Sequence, residues 1–319
     1  MIVVTGATGF VGRALVAAAV RQGRSVRAVV RTLPRMPVDG AEYVVGGGLS
    51  VASDWRAALR GADAVIHAAA RVHVMRDTAQ DPLAEFRRTN VDGTIALARQ
   101  AAESGVRRFV FVSSIKVNGE RSEVGRPMRS SDPAGPTDPY GLSKFEAEEA
   151  LRAIARNTAL EVAVIRPVLV YGPGVGANFA ALLRLIARRL PLPLGAIHNK
   201  RSFVALTNLV DLLLVCVDHP AAAGGTFLVS DGEDLSTTDL LRRLAHALQV
   251  KNVLVPVPEA LLRLCARLLR RDDLGLRLFG SLQVDIEHTR ATLAWNPPVS
   301  VDDALRETAL EFRRRELGR

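Results

Sequence analysis

The chain has 319 residues, of which 48% are hydrophobic and 24% are charged, the composition of an ordinary globular protein. Its two cysteines and six histidines match no metal-ligand spacing, so the sequence predicts no metal site and indicates that Cys216 and Cys265 are buried thiols in a reducing compartment. No apolar run approaches the roughly 20 residues of a membrane helix, and we expect a cytoplasmic protein without membrane insertion.

The formal net charge of +9 raises the question of a nucleic-acid partner. The basic residues are mostly arginines dispersed over predicted helical faces, and aromatic residues make up only 5% of the chain. Because no stacking platform accompanies the charge, we expect no nucleic acid partner. A basic surface also suits a substrate that carries phosphate groups, and we favour this interpretation.

The first half of the chain alternates short β-branched runs with helical stretches, which is typical of a parallel sheet covered by helices. Strands are predicted at Ile2–Val4, Ser25–Val30, Glu42–Val45, Ala64–Ala68, Arg108–Ser113 and Val162–Val164. Helices are predicted at Val11–Arg21, Leu83–Ser104 and Tyr140–Arg156. The pattern predicts an α/β fold, with a doubly wound, Rossmann-type domain over residues 1–166.

After Arg166 the alternation ends, and residues 167–201 and 231–319 are predicted to form a smaller C-terminal lobe. The predicted elements are helices at Phe179–Arg189, Ser236–Leu248 and Pro258–Arg271, a strand turn with an apolar helix over Phe203–Val217, and a strand at Thr226–Val229. The segment around residues 202–230 is expected to return to the first domain. The helix at Pro258–Arg271 is amphipathic, which favours packing on the lobe over binding to a membrane surface.

A glycine-rich turn follows the first strand and opens the first helix. Its glycines, Gly6, Gly9 and Gly12, have the spacing Gly-x-x-Gly-x-x-Gly. Glycines permit a tight turn and let backbone N–H groups approach a pyrophosphate at the positive end of a helix. The sequence therefore predicts a dinucleotide site formed by Gly6, Thr8, Gly9, Phe10, Val11 and Gly12.

The end of the second strand carries Arg31, where NAD-binding folds of this kind place an acidic residue that binds the adenosine ribose. Arginine cannot accept a hydroxyl hydrogen bond, but it pairs well with a 2′-phosphate. We therefore predict NADP as the cofactor, with NAD as the alternative.

Tyr140 and Lys144 lie four residues apart in a predicted helix that begins with Asp138 as N-cap and Pro139 in the first turn. They share one helix face, and an adjacent ammonium is expected to lower the pKa of the phenol. Ser114 follows a predicted strand at the carboxyl edge of the sheet, where it can bind the substrate oxygen beside Tyr140. The sequence predicts Ser114, Tyr140 and Lys144 as the catalytic residues.

Motifs along the whole chain resemble the extended short-chain dehydrogenases/reductases, a family that contains the UDP-galactose 4-epimerases. The motifs are Thr5–Gly12, Asp63–Ala69, Asn90–Thr94, Ser113–Ser114, Tyr140–Lys144 and Arg166–Pro173. The resemblance implies that Ser114, Tyr140 and Lys144 are catalytic. It also implies cofactor contacts at Leu49, Ala68, Ala69, Ala70, Asn90, Ser113, Tyr140, Lys144 and Pro167.

The resemblance further implies a UDP-sugar substrate. Ser114 would contact the sugar, while Asn178 and Arg201 would contact the diphosphate, for which a helix N-terminus and a guanidinium are good partners. It also implies a homodimer formed through the helices predicted at Leu83–Ser104 and Tyr140–Arg156.

Three positions depart from the family pattern. Gly48 replaces the acidic residue after the third strand, and Asn118 stands where the epimerases usually have tyrosine. Ile115 and Lys116 replace the Asp-Glu pair of the family's dehydratases, which disfavours elimination of water.

The segments 113–120 and 192–197 resemble 4-reductases of bacterial surface-polysaccharide synthesis. Our main expectation is therefore 4-ketoreduction of a UDP-4-keto-6-deoxy-N-acetylhexosamine to UDP-N-acetylquinovosamine. The alternative is a UDP-sugar 4-epimerase of the UDP-glucose or UDP-N-acetylglucosamine type. A non-catalytic dinucleotide-binding sensor is a third hypothesis, which the intact Tyr140 and Lys144 disfavour.

Overall fold

A seven-stranded parallel sheet forms the centre of the computed structural model, which describes residues 1–46, 48–72, 81–123, 125–251, 253–268, 275 and 278–316. The strands in chain order are β1 (Ile2–Thr5), β2 (Val26–Val30), β3 (Glu42–Val45), β4 (Ala64–His67), β5 (Arg108–Val112), β6 (Glu161–Pro167), β7 (Leu169–Tyr171), β8 (Arg201–Ala205), β9 (Thr226–Val229) and β10 (Asp234–Leu235). The central sheet has the order β3-β2-β1-β4-β5-β6-β9. This is the doubly wound, Rossmann-type α/β fold that the sequence predicts.

Helices cover both faces of this sheet. Among the described residues the helices are α1 (Phe10–Arg21), α2 (Arg56–Leu59), α3 (Pro82–Phe86), α4 (Gly93–Glu103), α5 (Pro139–Arg156), α6 (Ala177–Ala187), α7 (Leu206–Asp218), α8 (Thr237–Ala247), α9 (Glu259–Leu268), α10 (Glu287–Leu293) and α11 (Val301–Glu316). Helices α6, α8 and α11 pack in a separate core, away from the central sheet. Alternate residues of a strand enter opposite cores: Val4 packs in the core that α1 and α7 cover, and Val3 in the core that α2, α4 and α5 cover. Since both faces are covered, the inner strands β1 and β4 are buried along their whole length and are mainly apolar.

The single helix predicted over Leu83–Ser104 is wrong in detail. A π-helical turn at Arg87–Asp92 separates α3 from α4, and the extra residue in such a turn changes which side chains face the core. In this turn Asn90 is buried, with 1% of its surface exposed. The π-helical turn therefore brings a polar side chain into the interior, which the apolar periodicity does not reveal.

The C-terminal lobe contains a second, three-stranded sheet of order β10-β8-β7. Strands β7 and β10 and helices α2, α10 and α11 were not predicted, because they are short or lie in segments rich in proline, glycine or charge. β8 pairs within this small sheet, whereas α7 packs on α1 and β9 joins the central sheet. Where the domain boundaries fall stays a prediction.

Two sequence expectations concern burial. Cys216 is buried, but the expectation for Cys265 is wrong, because this thiol is exposed on α9. Among the residues that the structure describes, no helix is long and apolar enough to cross a membrane.

Candidate active site

The glycine-rich turn connects β1 to α1 and packs against the end of β4. Gly6 has φ +69°, and a Cβ placed there would lie 2.7 Å from the Ala69 nitrogen. At Gly12 a Cβ would lie 2.1 Å from the carbonyl oxygen of Gly6. Both positions therefore require glycine, Gly6 for its backbone conformation and both for the close approach of the turn to its neighbours.

These residues fit a dinucleotide. The N-cap of α1 is Gly9, which has no side chain to cap the first turn, so the backbone N–H groups at this helix end are available to an anion. Thr8 is exposed, and Phe10 and Val11 are partly exposed beside it. The turn lies at the carboxyl ends of the neighbouring strands β1 and β4. From β1 the chain continues to β2 on one side of this pair, and from β4 it continues to β5 on the other side. Doubly wound sheets bind nucleotides at this position.

A buried chain of hydrogen bonds centred on His67 holds this edge of the sheet together. Thr94 Oγ1 donates to the Asn90 carbonyl at 2.7 Å, so it accepts the hydrogen bond from the N–H of His67 Nε2 at 3.0 Å. His67 Nδ1 is then the acceptor for Thr5 Oγ1 at 2.6 Å. Burial, followed by the charge of Lys144, lowers the pKa of His67 to about 3. The imidazole is therefore neutral, and it fixes the end of β1 relative to β4 and α4.

Asn90 joins the segment after β4 to α5. Its amide nitrogen donates to the Arg71 carbonyl and to Ser143 Oγ, both at 3.0 Å, and its amide oxygen accepts from the Arg71 nitrogen at 2.8 Å. Ser143 in turn donates to the Tyr140 carbonyl at 2.8 Å. The Asn90 side chain, predicted as a cofactor contact, thus connects the cofactor edge to the turn of helix that carries Tyr140.

Tyr140 and Ser114 meet at the carboxyl end of the sheet. Asp138 accepts the Gly141 N–H at 2.6 Å and caps α5, with Pro139 as its first residue, as the sequence predicts. The phenol of Tyr140 is hydrogen-bonded to the Ser114 side chain, and its ring meets the edge of Phe86 at 6.0 Å. A serine hydroxyl at the phenol can hold a substrate oxygen between them.

The expected lowering of the Tyr140 pKa is wrong. Burial, and then the charge of Asp138, raise the pKa of this phenol to about 12, although the hydrogen bond from Ser114 opposes the rise. Lys144 points elsewhere: its Nζ donates to the Val112 carbonyl at 2.9 Å and lies 4.5 Å from the centre of the Phe111 ring. Burial also lowers the pKa of Lys144 to about 7, so it is a weaker source of positive charge than an exposed lysine.

One turn beyond Lys144, α5 buries the carboxylate of Glu148. It accepts hydrogen bonds from the Arg166 guanidinium at 2.9 and 2.5 Å and from Ser113 Oγ at 2.5 Å. The Ser113 hydroxyl, predicted as a cofactor contact, therefore points toward Glu148. The same carboxylate raises the pKa of Lys144, against the larger effect of burial.

The other predicted contacts are dispersed around this edge. Ala68, Ala69 and Ala70 become partly exposed directly after β4, and Pro167 ends β6. Leu49 packs against the start of α4, where a Cβ at Gly93 would lie 2.8 Å from it. Arg31 is exposed directly after β2.

Of the predicted substrate contacts, Arg201 opens β8. Its guanidinium donates to the Gly280 carbonyl at 3.1 Å, and burial lowers its pKa. Asn178 is the second residue of α6, and its side chain lies outside the described part of the chain. The structure therefore places both residues in the C-terminal lobe.

Sequence reasoning missed the buried hydrogen-bond partners of His67 and Glu148 and the ion pair between Lys116 and Asp138. A histidine inside an apolar strand (Ala64–His67) and a glutamate two turns beyond Tyr140 were visible signals, because polar residues on buried faces need partners. Lys116 was noted only as a departure from the dehydratases, since its partner Asp138 is distant in sequence.

Comparison with known proteins agrees with this geometry. Residues 2–230 match the model of the NAD dependent epimerase/dehydratase family. The chain belongs to this family. It is therefore an enzyme, and the family's name gives NAD as the cofactor that the glycine-rich turn fits.

Among the relatives of this family member is a UDP-glucose 4-epimerase of Vibrio cholerae, which is 47% identical over 98% of this chain and 95% of its own length. A short-chain dehydrogenase/reductase superfamily protein of Agrobacterium tumefaciens, solved with bound NAD, has a TM-score of 0.75 at 28% identity and covers 100% of this chain and 98% of its own. The UDP-N-acetylglucosamine 4-epimerase of Bacillus cereus has a TM-score of 0.80 at 21% identity over 98% and 99% of the two chains, and shares the fold.

Proposed function

We propose that this enzyme is a UDP-hexose 4-epimerase, which interconverts two UDP-sugars that differ in configuration at C4. The observation that carries the proposal is the 47% identity to the Vibrio cholerae UDP-glucose 4-epimerase across nearly the full length of both chains. The similarity favours the epimerase over the 4-ketoreductase that was our main expectation from the sequence, with Ser114, Tyr140 and Lys144 at the site of reaction.

The reaction needs a base and an acid at the same oxygen. Bound NAD would accept the hydride from C4 and later return it. Tyr140, in its phenolate form, takes the proton of the C4 hydroxyl as the C–H bond breaks, and the resulting phenol returns this proton when the ketone is reduced on its other face. Ser114, hydrogen-bonded to the phenol, orients the oxygen in both directions. Protons and hydride are conserved over the cycle, so the enzyme consumes no cofactor.

The nucleotide part of the substrate would bind in the C-terminal lobe. Arg201 carries a permanent charge at the start of β8, and Asn178 lies in the first turn of α6. Because the diphosphate is remote from C4, we expect Arg201→Ala to raise KM more than it lowers kcat. Unchanged affinity of this variant for UDP in calorimetry would remove Arg201 from the site.

The experiment that tests the proposal uses the purified protein with UDP-glucose, UDP-galactose, UDP-N-acetylglucosamine or UDP-N-acetylgalactosamine and no added cofactor. An epimerase converts the members of at least one of these two pairs to a mixture of both C4 epimers, and NAD is released from the protein on denaturation. A protein that leaves all four unchanged but oxidises added NADPH with a UDP-4-keto-6-deoxy-N-acetylhexosamine is the 4-ketoreductase instead. The homodimer stays a prediction that sedimentation of the same sample tests.

A further inference from the structure

The turn that carries Ser114 is connected to the helix that carries Tyr140 by a lysine. Lys116 lies in a 3₁₀ turn, Ile115–Val117, which Ser114 caps. Its side chain is about one third exposed, and its ammonium contacts a carboxylate oxygen of Asp138 and lies 2.8 Å from a carboxylate oxygen of Glu120. Of the two acidic partners, Asp138 is the N-cap of α5, whereas Glu120 lies three residues after the turn that carries Lys116.

Asp138 uses both of its carboxylate oxygens. One accepts the Gly141 N–H at 2.6 Å and caps α5, and the other accepts from Lys116. The backbones of the turn and the helix also touch, since a Cβ at Gly141 would lie 2.8 Å from the Lys116 carbonyl oxygen. The ion pair and the close backbone contact therefore both hold the first turn of α5, and with it Tyr140, against the Ser114 turn.

We propose that Lys116 is a positioning residue of the reaction, which compensates the charge of Asp138, the N-cap two residues before Tyr140, and fixes the Ser114 turn to the start of α5. This inference rests on the proposed role of Tyr140 as acid and base. Lys116 acts through Asp138, its ion-pair partner, and the effect that we expect is on the protonation of Tyr140.

The sign of the effect follows from the charges around the phenol. Asp138 raises the pKa of Tyr140, because a negative charge disfavours the phenolate. The other charged groups described on the elements around Tyr140 come from three places. Lys116 and Glu120 belong to the Ser114 turn and the residues after it, and Asp138 and Lys144 to the N-cap and first turns of α5. The Arg71 guanidinium lies 5.7 Å from the centre of the Phe86 ring, which contacts the Tyr140 ring. Loss of the Lys116 charge leaves Asp138 uncompensated, so the phenolate forms at higher pH.

The test compares the pH dependence of kcat for the epimerase reaction in the wild type and in Lys116→Met. We expect the acidic limb of the profile to move up by about half to one pH unit, and the rate at a pH below that limb to fall roughly three- to tenfold, since each unit is a factor of ten in the phenolate fraction. Glu120→Gln is the matched control, because it removes the other partner of Lys116 and leaves Asp138 paired. It should leave the limb unchanged.

A double-variant cycle shows whether Lys116 acts through Asp138. In Asp138→Asn, which keeps an N-cap side chain but no charge, adding Lys116→Met should shift the limb no further, and Lys116→Arg alone should retain the wild-type profile. As a readout without substrate, [13Cε]lysine NMR should show the pKa of Lys116 falling in Asp138→Asn.

Two results would overturn the inference. One is that Lys116→Met shifts the limb equally far in the Asp138→Asn background, and the other is that Lys116→Met lowers the rate at every pH without shifting the limb. The second outcome is that of a purely structural residue, and thermal unfolding of each variant identifies it. If Tyr140→Phe retains wild-type turnover, the proposed function of Tyr140 fails, whatever Lys116 does.

Discussion

The ammonium of Lys144 donates a 2.9 Å hydrogen bond to the carbonyl oxygen of Val112, the last residue of β5. This bond holds the lysine inside the sheet edge, where burial lowers its pKa to about 7 and the charge of Glu148 opposes the fall. Since the protonated and the neutral form of Lys144 are close in free energy at neutral pH, a ligand that places charge near this side chain readily changes its protonation.

The first prediction is that the pKa of Lys144 lies well below that of Lys116, because burial lowers the first and the hydrogen bonds to Asp138 and Glu120 raise the second. The 13Cε resonances of a [13C]lysine-labelled sample, assigned by single substitutions, should show a midpoint near 7 for Lys144 and a much higher one for Lys116. A Lys144 midpoint above 10 would mean that water reaches the ammonium and that the hydrogen bond to Val112 does not persist.

The second prediction concerns His67. Its folded-state pKa of about 3 lies below the value of 6.5 in the unfolded chain, so its contribution to stability is present above pH 6.5 and is lost as the pH falls toward 3. We expect the free energy of unfolding to fall by about 2 kcal/mol between pH 7 and pH 5 from this group alone. Urea titrations should show that His67→Gln removes this part of the pH dependence and that His246→Gln, on an exposed residue, retains it. An unchanged pH dependence in His67→Gln would show that the imidazole is protonated in the folded protein.

The third prediction concerns the pair of Glu148 and Arg166, which are 0% and 4% exposed. Glu148→Gln leaves the Arg166 guanidinium buried without its counter-charge, and removing one partner of such a pair typically costs about 3–5 kcal/mol. Glu149→Gln is the matched control, since its side chain is about half exposed and pairs with Arg152 at the surface. If both variants unfold at the same urea concentration, the buried pair contributes nothing.

The sequence alone supports the main features of this site. The structure contains three features that local patterns predict. They are the buried strands, the glycine-rich turn before an amphipathic helix, and the aspartate-capped helix with Tyr140 and Lys144 on one face. The π-helical turn at Arg87–Asp92 escaped prediction because its backbone geometry depends on the contacts of Asn90 with Arg71 and Ser143, which no local pattern specifies.

The protonation of the site could not be predicted from spacing. A separation of four residues puts Lys144 on the same face as Tyr140, but burial of both groups decides their pKa values, and burial is a property of the folded chain. The same holds for two partners of Glu148: Ser113 directly follows β5 and Arg166 lies on β6, so both reach the carboxylate only after the sheet has formed. Arg152, one turn along α5, is a local partner.

The fourth prediction concerns the choice between NAD and NADP, for which the sequence favours NADP through Arg31. The guanidinium is exposed after β2, so we expect Arg31→Ala to weaken NADP binding by about tenfold, near the lower end for a charge-assisted hydrogen bond. NAD affinity should change less than twofold, since NAD lacks the 2′-phosphate. Calorimetry with both cofactors tests this, and equal weakening of both would show that Arg31 contacts a part of the cofactor common to the two.

The most direct test of the epimerase proposal follows the hydrogen at C4. UDP-galactose deuterated at C4 is incubated with the wild-type protein in ordinary water, without added cofactor, and the product is analysed by mass spectrometry and NMR. The account predicts UDP-glucose with the deuterium still at C4, because the hydride returns to the sugar from which it came. It also predicts a rate roughly 10²–10⁴-fold lower in Tyr140→Phe, which lacks the acid and base, with NAD still bound. Loss of the deuterium to water, or full activity of Tyr140→Phe, would contradict it.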